Sequence, residues 1–286
     1  MKIIFGILFV TGCVFGGFII SGGQLLALWH PPELMIILGG ATGAFIISNP
    51  PSVLSGSIKG LFAILKGSKY KKATYMELLT LMHNLFAKSR KEGLMALEAD
   101  IDEPHESEIF KAFPKLAANH HLIDFISDYL RLMVGGNMNA FELESLMDLE
   151  METHHHEMAA PAAAVTTMSD GLPGFGIVAA VMGVVITMGF ITEPPEVLGM
   201  KVGAALVGTF LGILFAYGFV GPLAKAMDTQ VEEEGMLLNC AKACIMATLN
   251  GYTPQVAIEF GRKALSSNLR PSFMELEEHI KEQKNK

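Results

Sequence analysis

The sequence predicts an all-α membrane protein with four transmembrane helices, a large helical domain between the second and third of them, and a helical C-terminal tail. The chain has 286 residues, of which 51% are hydrophobic and only 17% are charged, so it is more apolar than ordinary soluble proteins. Its charged residues are also unevenly placed. Within 1–49 and 172–222 they are only Lys2, Glu33, Glu193, Glu196 and Lys201. Two apolar blocks therefore alternate with two polar blocks, 50–171 and 223–286.

The first apolar block, 1–49, is predicted to be a transmembrane hairpin. Residues 3–20 are uncharged and approach the roughly 20 apolar residues that cross a bilayer. A signal peptide is the alternative, but glycines interrupt the run and no A-x-A-type cleavage site follows. A second apolar run, 34–49, follows Trp29, Pro31 and Pro32, an interfacial aromatic residue and a turn.

The second apolar block, 172–222, is predicted to be another hairpin, with spans at 172–192 and 202–222. Glu193, Pro194 and Pro195 mark its turn. Lysine placement predicts the orientation, because positive charge accumulates on the cytoplasmic side. The lysines that follow the second and fourth spans, within the polar blocks, are Lys59, Lys66, Lys69, Lys71, Lys72 and Lys225. Both termini and both polar blocks are therefore predicted to be cytoplasmic.

The polar blocks are predicted to be helical. Apolar spacing predicts helices at about 73–92, 106–120 with a break at Pro114, and 121–134 ending at Gly135 and Gly136. Asn139 and Glu142 form a capping-box pattern that opens a helix at 140–158. A helical extension is predicted at 223–249, a short helix from Pro254 to about 265, and a last helix capped by Ser272 and Glu275.

Several functional classes are not supported by the sequence. The net charge of -8 is mixed with many basic residues, which does not favour nucleic-acid binding. Cys240 and Cys244 lie one helical turn apart, which is typical of a packed helix face. The run His154 to His156 is interpreted as a solvated helix end, because consecutive helical residues point about 100° apart and cannot converge on a metal. No hydrolase or phosphate-loop motif is present, so we expect no enzyme.

The spans lack any carboxylate that could carry an ion. Their main hydroxyls are Thr42, Thr187, Thr209 and Tyr217, which can line a wet path but do not titrate at neutral pH. Either the protein moves no ion, or a partner helix supplies the titrating group. Pro173 opens the third span and Pro222 closes the fourth, as helix punctuation or as hinge points.

Small residues recur four apart in each span, namely Gly12 and Gly16, Gly39 and Gly43, Gly176 and Ala180, and Gly208 and Gly212. Such faces allow close helix packing in lipid. They predict either a tight four-helix monomer or a surface for other subunits, and spacing alone does not choose between the two.

Several segments of the chain closely resemble the MotA family of flagellar stator proteins. They are LPGFGIVAAVMG at 172–183, VGTFLGIL at 207–214, YGFVGP at 217–222, AKSR at 87–90, ESEIF at 106–110, DYLRL at 128–132 and EFGRK at 259–263. The resemblance covers nearly the whole chain with the same order of four spans. It implies a bacterial inner-membrane protein that conducts protons and drives flagellar rotation.

The resemblance also implies partners and site residues. It implies a ring of five such subunits around a MotB-like dimer, whose aspartate carries the ion. It assigns the contact with the rotor protein FliG to Arg90 and Glu98, and conformational coupling to Pro173 and Pro222. Thr209 matches the hydroxyl beside that aspartate, in a channel to which Thr187 and Tyr217 also contribute.

The transported ion is expected to be a proton, with no other cofactor. Sodium-driven relatives carry a threonine where this chain has Ala180, and a methyl group offers Na⁺ no oxygen ligand. The alternatives are a sodium-driven stator, an ExbB- or TolQ-like energiser of envelope processes, and a membrane scaffold that conducts nothing. Four spans favour the stator over the energisers, which have three.

Overall fold

The computed structural model describes residues 2–136 and 138–284, and the regular structure of those residues is helical throughout. The first nine helices are α1 (Lys2–Ile20), α2 (Pro31–Leu34), α3 (Gly40–Ser48), α4 (Pro51–Lys66), α5 (Lys72–Glu92), α6 (Glu98–Asp102), α7 (Glu108–Lys111), α8 (Pro114–Ala117) and α9 (His120–Gly135). The others are α10 (Ala140–Met188), α11 (Pro195–Ile213), α12 (Gly221–Leu249), α13 (Pro254–Ala264) and α14 (Phe273–Lys284).

Shorter helical forms join some of these helices. Single-turn 3₁₀ segments occupy Leu25–Leu28 and Leu94–Leu97. Wider π-helical segments, Met35–Gly39 and Leu214–Val220, connect α2 to α3 and α11 to α12 without interrupting the helical path.

Four helical stretches are long and apolar enough to cross a membrane within the described part of the chain. They are Lys2–Ile20, Pro31–Ser48, Ala140–Met188 and Pro195–Leu249. Each overlaps one of the four predicted spans, although the predicted ends at 49 and 192 lie one and four residues beyond the helices, so the all-helical fold with four apolar helices is confirmed.

The chain divides into two compact units. The first contains Met1–Gly67 and Glu157–Gln230, and the second contains Ser68–His156 and Val231–Lys286. These limits differ from those predicted at the ends of the apolar blocks because they follow side-chain packing rather than hydropathy. The proposed membrane and cytoplasmic boundaries therefore stay a prediction.

Glycines bring α10 and α11 into backbone contact in the first unit. A Cβ placed on Gly176 would lie 2.8 Å from the carbonyl oxygen of Gly208 and 3.2 Å from the Cα of Gly212. One placed on Gly183 would lie 2.7 Å from the Cβ of Ala205. A side chain does not fit at these distances. The close crossing of α10 and α11 therefore requires glycine at positions 176 and 183.

The predicted small-residue pairs of the first and second spans behave differently. A Cβ on Gly12, Gly16, Gly39 or Gly43 would meet no described atom within 4 Å, although one on the neighbouring Gly40 would lie 2.4 Å from the Phe175 ring. The predicted pairs of the third and fourth spans therefore pack within the chain, whereas Gly12, Gly16, Gly39 and Gly43 have open space beside them among the described residues.

Helix α4 belongs to the first unit and packs against other helices in it. The sequence analysis predicts no helix at these residues. Its Ile64 joins a buried cluster with Val165 and Met227, and the Ser57 hydroxyl donates to the Pro161 carbonyl over 3.2 Å. The opposite face of α4 leaves Ile58, Phe62 and Leu65 exposed. The helix therefore has two apolar faces. One is buried against the first unit, and the other is exposed among the described residues.

The second unit has an extensive hydrophobic core. Its largest fully buried side chains include Tyr75, Phe86, Phe110, Phe125 and Tyr129, and burial raises the pKa of the two tyrosines. Cys240 and Cys244 are buried free thiols within the same core. The prediction that they mark a packed helix face is confirmed.

Helix caps in the second unit lie where the sequence places them. Asn139 and Glu142 exchange hydrogen bonds of 2.9 and 3.0 Å at the start of α10. Ser272 and Glu275 form the same box before α14. A hydrogen bond from Lys72 and those from Ser272 lower the pKa of Glu275 to about 2. The predicted helices at 73–92, 121–134, 223–249 and 254–265 are likewise confirmed within a few residues.

The break predicted at Pro114 is confirmed: 106–120 forms two short helices, α7 and α8, because Phe113 is non-helical immediately before Pro114. Two other expectations about this part of the chain are wrong. Helix α10 does not end at 158 but continues to Met188, through Pro161 and Pro173. His154 to His156 therefore lie inside a helix rather than at its end, and the His154 ring stacks on His121 with the centroids 3.8 Å apart.

The glycine crossing makes a direct prediction about stability. Gly176→Ala should lower the free energy of unfolding by about 1–3 kcal/mol, because the new methyl group meets backbone atoms that cannot move away. Gly174→Ala, two residues away and with no atom within 4 Å, is the matched control and should be neutral or stabilising by up to about 1 kcal/mol. Thermal unfolding of the detergent-solubilised full chain compares them. Equal melting temperatures for the two variants would contradict the proposed crossing.

Candidate functional site

Thr209 lies at the crossing of α10 and α11. A Cβ on Gly176 would be 3.4 Å from the Cα of Thr209, and one on Gly208 would be 3.3 Å from the backbone nitrogen of Ala180. The structure therefore brings Thr209 and Ala180, two of the predicted channel residues, to the same crossing. Both are half-buried.

The hydroxyl of Thr209 makes no hydrogen bond to any of the residues that the structure describes. Thr42 in α3 is the same in this respect, whereas most helical threonines bond to the carbonyl four residues earlier in their own helix. Thr187, for example, donates to the Gly183 carbonyl over 2.8 Å, and Thr11 donates to the Ile7 carbonyl over 2.7 Å. A half-buried hydroxyl in an apolar helix without such a bond remains able to bind another group.

The other two predicted channel residues lie apart from this crossing. Thr187 is buried and lies about two helical turns beyond Ala180 along α10. Tyr217 is on the π-helical segment Leu214–Val220 and is 66% exposed. The structure therefore gathers Thr209 and Ala180, and leaves Thr187 and Tyr217 at other positions of the first unit.

Pro222 follows directly after a π-helical segment. A proline has no N–H and its ring collides with the carbonyl four residues earlier, so a regular α-helix cannot pass through it unchanged. The widened turns of Leu214–Val220 accommodate it, and α12 begins at Gly221. The helical path continues through Pro222 into the predicted extension, and the end of the fourth membrane span at Pro222 stays a prediction. Such widened turns often occur at functional sites.

Pro173 lies inside α10 rather than at its start, contrary to the sequence-based expectation. The helix continues because a proline removes a single backbone hydrogen bond, and the residues before it are helical in their own right. One turn earlier, the buried Ser169 hydroxyl donates to the Ala216 carbonyl over 2.9 Å. This bond ties the Pro173 region to the π-helical segment before Pro222, and sequence reasoning missed it because only the fold brings the two together.

In the second unit, Arg90 lies at the C-terminal end of α5. Gly93, with a φ of 91°, ends this helix, because other residues rarely adopt that conformation. The chain then makes the 3₁₀ turn Leu94–Leu97 and enters α6 at Glu98. Arg90 and Glu98 are both exposed, and neither forms an ion pair with another described residue.

Glu98 is held in place by its neighbours in α6. Leu97 and Ile101 are buried in the core of the second unit. The Asp100 carboxylate accepts hydrogen bonds from Lys88 over 2.6 Å and from Ser107 over 2.5 Å. Because Lys88 is on α5, this network fixes α6 to the helix that carries Arg90. The sequence did not reveal that Asp100 and Ser107 hold α6 in this position.

Comparison with known proteins agrees with this architecture. The family model described as motility protein A N-terminal matches residues 4–93, and that of the MotA/TolQ/ExbB proton channel family matches residues 117–239. Motility protein A of Escherichia coli K12 is 50% identical, in an alignment that covers 100% of this chain and 97% of that protein. The chain belongs to the motility protein A family.

Further relatives are consistent with this membership. Chemotaxis protein LafT of Vibrio parahaemolyticus is 39% identical, over 99% of each chain. The flagellar MotAB stator complex of Bacillus subtilis is similar in structure, with a TM-score of 0.74, 25% identity, and coverage of 96% of this chain and 97% of that one. A C. jejuni MotAB structure has a TM-score of 0.77 at 20% identity and a coverage of 95% and 98%, and so shares the fold. Family membership and the four apolar helices together identify an inner-membrane protein.

The support of α6 makes a testable prediction. Asp100→Ala removes both hydrogen bonds and leaves the Lys88 and Ser107 donors unpaired, so the free energy of unfolding should fall by about 1–3 kcal/mol. Asp102→Ala, in the same helix, removes an exposed ion pair with Arg131 and should cost less than about 1 kcal/mol. Chemical unfolding of the full chain in detergent measures both. A loss for Asp100→Ala no larger than that for Asp102→Ala would show that the network does not hold α6.

Proposed function

We propose that this chain is the ion-conducting, torque-generating subunit of a bacterial flagellar stator. The observation that carries the proposal is the half-buried, unbonded hydroxyl of Thr209 at a glycine-packed helix crossing. The predicted spans 3–20, 34–49, 172–192 and 202–222 contain no carboxylate. An ion-driven machine needs a titrating group at membrane depth. This chain offers a hydroxyl that could receive such a group from a partner.

The partner is proposed to be a MotB-like dimer that supplies an aspartate. The solved complexes similar to this chain are MotAB structures, one of them described as a flagellar stator. Thr209 would hydrogen-bond to the charged carboxylate, and protonation would then let the carboxyl group face apolar surface. Each elementary charge that crosses the membrane releases about 2.3 kcal/mol per 100 mV, so successive crossings can sustain stepwise work.

The transported ion is proposed to be the proton, with no bound cofactor. Ala180 lies at the same crossing as Thr209 and contributes only a methyl group. Na⁺ prefers several oxygen ligands, which this crossing does not provide. Thr187 and Tyr217 would line the path away from the crossing, and the family comprises stator and channel components rather than enzymes.

Five copies of the chain are proposed to form a ring around the partner dimer. The support within this chain is the open space beside Gly12, Gly16, Gly39 and Gly43, where an added Cβ would meet no described atom of the same subunit within 4 Å. Faces of this kind allow close helix approach in lipid. Both termini and the second unit would lie in the cytoplasm, as the lysine distribution predicts.

Torque is proposed to reach the rotor protein FliG through Arg90 and Glu98. Both side chains are exposed and unpaired among the described residues, so each could meet opposite charge on the rotor. Exposed ion pairs are individually weak, which suits contacts that must form and break at every step. Pro173 and Pro222 would couple ion passage to this movement, through the π-helical segment and the Ser169 bond.

The proposal predicts that ion flux and rotation can be separated. With the chain and its MotB-like partner co-expressed in a stator-less strain, Arg90→Glu should abolish swimming but leave proton flux within about twofold, since it acts only at the rotor. Thr209→Val should lower both. Flux is measured as cytoplasmic acidification after removal of any plug segment from the partner.

Lys91→Glu is the matched control for charge reversal, because Lys91 is the exposed neighbour of Arg90 and forms only a 4.0 Å pair with Glu92. It should swim nearly normally. A loss of flux in Arg90→Glu as large as that in Thr209→Val would contradict the separate roles. Normal flux and swimming in Thr209→Val would remove the observation on which the proposal depends.

A further inference from the structure

An open apolar cavity lies beside Arg90 in the second unit. Its volume is about 200 Å³. The lining residues come from the end of α5, the following 3₁₀ turn, α9 and the connection between α12 and α13. They are Phe86, Ser89, Arg90, Leu94, Met133, Thr248, Leu249, Gly251, Tyr252 and Pro254. A closed apolar cavity of about 150 Å³ can hold a benzene molecule, so this one has room for one large apolar side chain.

Apolar side chains are exposed around this cavity. Leu94 is 39% exposed and Tyr252 is 47% exposed, although both line it. Next to them in sequence or space, Met95 is 65% exposed, and the Phe260 ring lies 5.1 Å from that of Tyr252. Exposed apolar groups clustered in this way, with a charged residue at their edge, mark an interaction site more often than a plain surface.

The positive charge of Arg90 favours a negatively charged group on whatever binds beside the cavity. Among the described residues, Arg90 is the single charged one in the lining, and none of them there is acidic. The guanidinium is exposed and has no ion-pair partner among the described residues. A complementary segment would therefore carry one apolar side chain for the cavity and one carboxylate beside it for Arg90.

We propose that this cavity receives an apolar side chain of the rotor protein, with Arg90 pairing with a carboxylate next to that side chain. The inference rests on the proposed function and adds a second kind of contact to it. An exposed ion pair alone contributes little affinity. A buried apolar anchor supplies affinity that salt does not screen, whereas the charge pair orients the two surfaces.

The test measures binding of the purified full-length rotor protein to the complex of this chain and its MotB-like partner, at several salt concentrations. Leu94→Ser should weaken binding about tenfold, the effect expected from one buried leucine side chain, with an unchanged salt dependence. Arg90→Ala should instead reduce the salt dependence. Met274→Ser, which removes a 70% exposed apolar side chain from α14, is the control and should bind within twofold of the unmodified complex.

A second variant tests the cavity in case Leu94→Ser weakens binding only by misfolding. Ser89→Leu fills the cavity without removing apolar surface and should weaken binding at least as much as Leu94→Ser, whereas Ser89→Ala should not. If Leu94→Ser and Ser89→Leu both bind within twofold while Arg90→Ala binds weakly, the contact is ionic only and the proposal is overturned. A change in oligomeric state in Leu94→Ser, with unchanged rotor affinity, would assign the cavity to contacts between copies and would also overturn it.

The unmodified complex separates this inference from the proposed function. Proton flux together with rotor binding that neither Leu94→Ser nor Ser89→Leu weakens would overturn the cavity proposal alone. The absence of both flux and binding would overturn the proposed function with it.

Discussion

The close approach of α10 and α11 is the constraint on which the candidate ion site depends. Gly176, Gly208 and Gly212 leave no room for a side chain between the two backbones. Lipid gives two apolar helices little reason to associate through the hydrophobic effect, so such contacts depend on close packing. The same contact fixes the position of Thr209 relative to Ala180. A widened crossing would move the Thr209 hydroxyl away from the group that it is proposed to bind.

The two helices that form this crossing also carry the irregular backbone of the protein. Helix α10 continues through Pro173, while Pro222 directly follows a π-helical segment and lies at the start of α12. The Ser169 hydroxyl donates to the Ala216 carbonyl of that segment. This bond connects the backbone near Pro173 to the backbone near Pro222. Both α10 and α12 contribute residues to each of the two compact units. They are therefore the elements through which an event in the spans could reach Arg90 and Glu98.

Much of the helical fold could be predicted from the sequence, because it depends on local patterns. The capping boxes at Asn139 and Ser272, and the end of α9 at Gly135, follow from the chemistry of a few neighbouring residues. The continuation of α10 beyond 158 could not be predicted, since prolines usually end helices and the tolerance of Pro161 depends on its surroundings. Helix α4 was missed because its apolar residues serve two faces, one of them buried against Val165 and Met227.

The candidate site was predictable only in part, and for a physical reason. Thr209, Arg90 and Glu98 were assigned by resemblance, whereas Ser169, Asp100 and the cavity beside Arg90 depend on contacts between residues far apart in sequence. Spacing could not decide whether the glycine faces pack within the chain. The structure gives a different answer for α10 and α11 than for α1 and α3.

The account is tested most directly by the energy source of swimming in a stator-less strain that expresses this chain with its MotB-like partner. Swimming speed is measured with and without sodium and with a protonophore, under conditions that prevent an indirect collapse of the sodium gradient. The account predicts motility that persists without sodium and stops with the protonophore. Motility that requires sodium, or no motility despite verified expression of a matched partner, would contradict it.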